Sequence, residues 1–124
     1  MKKNKKTVIL GASPNTSRYA YAAARMLKEN DIPFVPVGIK KGQVLGEEIL
    51  NIREKPPIED VHTLTLYIGP PNQKEWYDYM ISLQPKRIIF NPGTENPELF
   101  TLAKSHGIEV LTACNLVMLS TDQF

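Results

Sequence analysis

With 124 residues, 42% of them hydrophobic, the chain has enough apolar material to build a proper core without covalent staples. Its one cysteine, Cys114, excludes an internal disulfide framework and fits a reducing, cytoplasmic setting, and no apolar run is long enough to cross a membrane. The net charge of +2, with lysines gathered at the start and at Lys40-Lys41 and no aromatic residues between them, argues against a nucleic-acid platform.

The chain opens on a basic arm, residues 1–5. The apolar run behind it, Val8-Ile9-Leu10, is too short for an export signal, so the arm reads as solvated. Thr7 to Leu10 forms a first strand and Gly11 to Ser17 a turn of small polar residues. Tyr19 to Glu29 follows as a helix with Ala20, Ala23, Ala24 and Leu27 on one face. Alanines there let the helix lie close to a sheet. Phe34 to Val37 is a second strand, in which Pro36 removes a ladder donor and predicts local irregularity. From Gln43 to Asp60 no helical period appears, and Pro56-Pro57 block a regular helix; Val44-Leu45 and Ile49 to Ile52 are candidates for short pieces.

His62 to Ile68 reads as a third strand, ended by Gly69-Pro70-Pro71. Asn72, with Glu75 three residues on, predicts the N-cap of a helix that buries Trp76, Tyr79, Met80 and Leu83. Lys86 to Phe90 is a fourth strand. Asn96-Pro97 is a cap followed by proline at the first helical position, and the stripe Leu99, Leu102, Ala103, His106 runs to Gly107. Ile108 to Leu111 is a fifth strand, and Cys114 to Ser120 a short last helix.

Strands alternating with helices give an α/β fold: a Rossmann-like three-layer domain over residues 1–124 with a five-stranded parallel sheet. In such a sheet ligands sit beyond the carboxyl ends of the strands. Four loops leave those ends, at residues 11–17, 38–42, 69–72 and 91–95.

The first loop is not a full G-x-G-x-x-G pattern, since Gly11 stands alone before Ala12 and Ser13. Ser13, Asn15, Thr16 and Ser17 can nevertheless donate to phosphate oxygens. Arg18 stands at the start of a helix, where a cation opposes the dipole unless an anion offsets it. A nicotinamide dinucleotide site would also need an acid at the end of the second strand, to hold the ribose hydroxyl. That strand ends in Val37-Gly38, followed by Lys40-Lys41. Lysines without an acid favour a phosphate, either the 2′-phosphate of NADP or the 3′-phosphate of coenzyme A. Catalytic signals are weak. His62 begins a strand, His106 ends a helix, neither stands at metal-ligand spacing, and Cys114 reads as a small core residue or as a thiol near the ligand's own sulfur.

The segments Gly11-Ala12-Ser13-Pro14-Asn15, Pro36-Val37-Gly38, Leu45-Gly46, Gly69-Pro70-Pro71, Asn91-Pro92-Gly93 and Cys114-Asn115 resemble the small bacterial CoA-binding proteins. These are similar to the CoA-binding domain of the succinyl-CoA synthetase α subunit. The resemblance covers nearly the whole chain and implies coenzyme A or an acyl-CoA as the ligand, with no catalysis on this chain alone. It implies that Gly11, Ala12, Ser13, Asn15 and Arg18 cradle the pyrophosphate, and that Val37, Gly38, Lys40 and Lys41 lie toward the CoA phosphates. Ile68, Gly69 and Pro70, with Asn91 and Gly93, would border the adenine and pantetheine. The chain departs from the family at Gly38-Ile39, where Asn-Pro is usual, and at Asn91 to Glu95, where a Gln-x-Gly segment is usual. The alternative is an NADP-binding oxidoreductase or nucleotide-sensing domain. A homodimer or a protein partner is left open, and no metal, nucleic acid or membrane is expected.

Overall fold

In the computed structural model, residues 4–124 are described; Met1, Lys2 and Lys3 of the basic arm lie outside the described residues. Strand β1 (Thr7–Leu10) leads through the polar turn to helix α1 (Tyr19–Glu29) and back to β2 (Phe34–Gly38). An antiparallel hairpin follows, β3 (Gln43–Val44) with β4 (Glu47–Glu48), and then the two-residue β5 (Leu50–Asn51) and a 3₁₀ turn, Ile52–Glu54. Next come β6 (Thr63–Leu66), two 3₁₀ turns, α2 (Tyr77–Ser82) and β7 (Arg87–Phe90). The chain ends in α3 (Pro97–Ser105), β8 (Glu109–Thr112) and α4 (Asn115–Ser120).

The main sheet has the order β5-β2-β1-β6-β7-β8, and every pairing is parallel. The order reverses at β1, so the crevice beyond β1 and β6 is the topological switch point where such folds take ligands. Alternation along the strands sorts the core into two layers. Val8, Leu10, Leu64, Leu66, Ile88 and Phe90 form one cluster with Tyr79 and Met80 of α2 and Leu99 and Ala103 of α3. Ile9, between them in sequence, packs with Ala20, Ala24 and Leu27 of α1 and Leu119 of α4. Covered on both faces, β1 is buried along its whole length, as a central parallel strand requires.

The sheet has six strands where the sequence predicts five. The sixth, β5, pairs only Leu50 with Val37 and Asn51 with Gly38, too short a run to show any periodicity. The β1–β2 register runs unbroken through Pro36, which sits opposite Ile9. Asn72 is not the cap of α2. Pro70–Asn72 and Lys74–Trp76 form tight 3₁₀ turns, and α2 starts only at Tyr77. The cause is Gln73, a fully buried side chain whose amide nitrogen donates to the carbonyls of Ile68 and Thr94, both at 2.9 Å. Its oxygen accepts from Asn96 Nδ2 at 2.8 Å. A regular helix from Asn72 would carry this side chain away from its three partners. Asn96 does cap α3, accepting from the amides of Glu98 and Leu99, but His106 lies past the helix end and is exposed.

At the amino-terminal ends of the strands, Lys5 Nζ donates to the Phe124 carbonyl and Lys6 Nζ to the Glu59 carbonyl. Arg87 is buried beneath the Phe124 ring, 4.4 Å from its centroid, and its Nε donates to Thr63 Oγ1 at 2.7 Å. That hydroxyl lies 2.8 Å from His62 Nδ1 and, accepting from Arg87, can give its own proton to the imidazole. Burial, reinforced by the charges of Arg87, Lys5 and Lys86, holds His62 below its usual 6.5, with Glu109 opposing. The folded chain therefore resists a proton that the unfolded chain accepts. Stability from this group is complete above pH 6.5 and is lost as the pH falls through the lower folded-state value. The melting temperature should fall as the pH drops below 6.5, and His62→Gln should flatten that slope. A mutant whose melting follows pH as the wild type does would separate His62 from the acid sensitivity.

Candidate functional site

Beyond the carboxyl ends of β1, β2 and β6 lies a cleft of about 490 Å3. Its floor is Gly11, Ala12 and Ser13, and its walls are Arg18 to Ala20, Gly38 to Lys40, Ile52 and Arg53, Tyr67 and Ile68, with Asn72, Glu75 and Trp76 across from them. The volume is within the usual range for small-molecule sites.

The floor is set by one backbone feature. Gly11 has φ +99°, and a Cβ there would stand 2.9 Å from the Tyr67 carbonyl carbon and oxygen and 2.8 Å from Ile68 Cγ2. Of the two readings of a glycine at this point, the sequence favours room for a phosphate over a conformation other residues avoid, and the structure reverses that order. The conformation is the observed cause, and the atoms a methyl group would meet belong to the protein itself. The turn also brings the amides of Gly11 and Ala12 to one acceptor, the Val37 carbonyl, at 2.9 and 3.1 Å. Neither amide is available to a ligand.

The rest of the turn is held by its own polar side chains. Ser13 Oγ accepts from the Asn15 amide, and Asn15 Oδ1 accepts from both the amide and the hydroxyl of Ser17. The Arg18 amide donates to the Asn15 carbonyl. Among the described residues this leaves the amides of Ser13, Thr16, Tyr19 and Ala20 without an acceptor. Tyr19 and Ala20 open α1. Arg18 is its N-cap, makes no side-chain cap, and the first turn holds no acid. The positive end of an eleven-residue helix thus faces the cleft uncapped, with an arginine beside it. Among the described residues Arg18, Lys40 and Arg53 make no ion pair. Uncapped amides and unpaired cations on one cleft are the donor set for a phosphate.

Of the residues singled out in the sequence, Gly11, Ala12, Ser13, Arg18, Gly38, Lys40 and Ile68 line the cleft. Val37 lies beneath it and supplies the carbonyl that anchors the turn. Asn15 is in the turn but points its oxygen at Ser17. Lys41 lies outside the cleft, on an adjoining groove. Gly69 and Pro70 follow Ile68 into the 3₁₀ turn. Asn91 is buried: its Nδ2 donates to Thr65 Oγ1 and the Leu66 carbonyl, and its Oδ1 accepts from the Asn115 amide. Gly93 is exposed, and its amide donates to Glu95.

Residues not signalled by the sequence complete the walls. Trp76 reads as core and does pack on the larger core cluster, but it is half-buried and its other side lines the cleft. Arg53 is carried there by the short strand β5. Tyr19 and Ile39 stand at the lips, 75% and 57% exposed. Tyr67 Oη is buried without a hydrogen-bond partner among the described residues, and burial pushes its ionisation up.

A family model described as a CoA binding domain matches residues 5–120. Comparison with curated proteins found no match. Among solved structures, one titled as the crystal structure of an uncharacterized protein is 57% identical, with a TM-score of 0.94 over 97% of this chain and 98% of its own. The structure of cell-free ID.343 from Thermus thermophilus is 24% identical, with a TM-score of 0.82 over 97% of this chain and 90% of its own. A Rex-family repressor shares the fold at 14% identity and a TM-score of 0.60, over 97% of this chain and 58% of its own.

Gly11→Ala should destabilise the ligand-free protein by on the order of 1–3 kcal/mol, because the substitution strains the backbone and pushes on Tyr67. Thermal or denaturant unfolding without ligand measures it. A mutant as stable as the wild type would show that the turn relaxes freely.

Proposed function

The chain belongs to the CoA binding domain family, and from that premise we propose that it binds coenzyme A or an acyl-CoA in the cleft at the carboxyl ends of the parallel strands, without chemistry of its own. The observation that carries this reading is the uncapped start of α1 with Arg18 beside it. A helix start with a cation and no counter-charge is unfavourable by itself and becomes favourable with a diphosphate between the two.

Three further features support it. The end of β2 offers Lys40 and no acid, which suits a phosphorylated ribose. The exposed Tyr19 and Ile39, with Ile52, Ile68 and Trp76 deeper in, give apolar surface for a flat base and an aliphatic arm. The histidines lie elsewhere: His62 precedes β6 at the amino-terminal ends of the strands, and His106 follows α3. In this reading the helix start and Arg18 hold the pyrophosphate, Ser13 contributes its amide, and Lys40 lies toward the ribose phosphate.

NADP is the second reading, since a lysine without an acid suits a 2′-phosphate as well as a 3′-phosphate. Thermal shifts with CoA, acetyl-CoA, NADP and NAD separate the two. A ligand at ~100 times its dissociation constant adds about 2.7 kcal/mol of stability. CoA and acetyl-CoA should shift the melt and NAD should not. Arg18→Ala should weaken CoA binding by about 1.5–3 kcal/mol while leaving the ligand-free melt unchanged or slightly raised. A CoA shift fully kept in that mutant, or no shift in the wild type, would overturn the assignment.

A further inference from the structure

The cleft is lined by a third cation that is unpaired among the described residues, Arg53, to which the reading above gives no contact. We infer that Arg53, with Lys40, seats a phosphomonoester on the ligand's ribose, and that Arg53 makes the cleft prefer such ligands over their dephosphorylated forms. This deepens the CoA reading and rests on it only for the ligand's name, because the group recognised is common to the 3′-phosphate of CoA and the 2′-phosphate of NADP.

The position of Arg53 follows from β5. That strand pairs Asn51 with Gly38, so the 3₁₀ turn after it starts level with the end of β2. The turn is fixed at both ends. Asn51 Oδ1 accepts from the Arg53 amide at 3.0 Å, and Lys55 leaves it with φ 47°. Ile52, 2% exposed, anchors it in the larger core cluster. The exposed side chain next to that anchor is Arg53.

Two depressions meet at this point. Gly38, Ile39, Lys40 and Arg53 line the cleft and also the adjoining groove, of about 550 Å3, that runs past Lys41. In a Rossmann-like sheet the ribose lies off the end of the second strand. Arg53 is therefore beside the ribose, whereas Arg18 is beside the helix start and its pyrophosphate. Lys40 and Arg53 flank the junction, while Glu48 and Glu54 line only the groove and Glu75 only the opposite wall of the cleft. A guanidinium offers a planar fork matched to phosphate oxygens, which an ammonium does not.

Calorimetry on the full chain with CoA, dephospho-CoA, NADP and NAD tests this. The wild type should favour CoA over dephospho-CoA by on the order of tenfold or more, the range for a charged hydrogen-bonded pair. Arg53→Ala should reduce that ratio to about twofold while leaving dephospho-CoA affinity unchanged, and Arg53→Lys should restore part of it. Lys28→Ala, near the far end of α1, should keep the full ratio. Equal wild-type affinity for the two CoA forms, or an Arg53→Ala mutant that weakens both alike, overturns the inference. If no CoA form binds but NADP exceeds NAD by a margin that Arg53→Ala removes, the CoA reading fails and the role of Arg53 stands. Binding of none of the four overturns both.

Discussion

The geometry of the cleft depends on a turn with no side chain. At Gly11 the chain leaves β1 with a positive φ and lies directly on the backbone of Tyr67, which continues β6. That contact sets how closely the first loop follows the switch point, and it lets one carbonyl, that of Val37, hold two successive amides. Three strand ends are thus tied together by backbone alone. The consequence is chemical as well as structural. Amides that a glycine-rich loop would turn toward a phosphate are here committed to the sheet. In the proposed CoA reading, anion recognition falls instead to the helix start and to the cations around it.

The far wall of the cleft is held by buried amides. Gln73 ties the loop after β6 to Thr94 and Asn96, and Asn91 ties the end of β7 to β6 and to α4. Nearly every polar atom of these three side chains has a partner, and Asn96 Nδ2 also reaches Tyr77 Oη. Satisfied networks of this kind specify a single arrangement. Asn72, Glu75 and Trp76 ride on that braced segment, so this side of the cleft is shaped before anything binds. Binding to a preformed wall loses little to ordering.

The sequence carried the repeating frame well. Three-residue apolar runs at β1 and β7, the alanine face of α1 and the Asn96-Pro97 start of α3 are local signals, because each arises from periodicity or capping within a few residues. What stayed hidden is long-range. β5 exists only because Leu50 and Asn51 find β2, and the late start of α2 comes from a glutamine bonded to residues up to 23 positions away. The same division holds for the site. Ser13, Arg18 and Lys40 follow strand ends and can be read from the loops, whereas Arg53 and Trp76 reach the cleft through tertiary packing. Gly11 was legible as a special residue, but not the reason for it: conformation and close approach look alike in a sequence.

The packing at the end of β2 limits how this site can change its chemistry. Gly38 has ordinary backbone angles, yet a Cβ there would lie 2.9 Å from the Ala12 carbonyl oxygen. Any side chain at that position would press on the turn that Gly11 makes possible. An acid that grips a ribose diol, as dinucleotide enzymes place at this strand end, therefore cannot be introduced at residue 38 without moving the floor. Conversion to an NAD-type specificity, by selection or by design, has to begin at Ile39 or Lys40, or remodel the first turn together with residue 38. One carbonyl oxygen thus closes the shortest mutational path between two cofactor classes on the same scaffold.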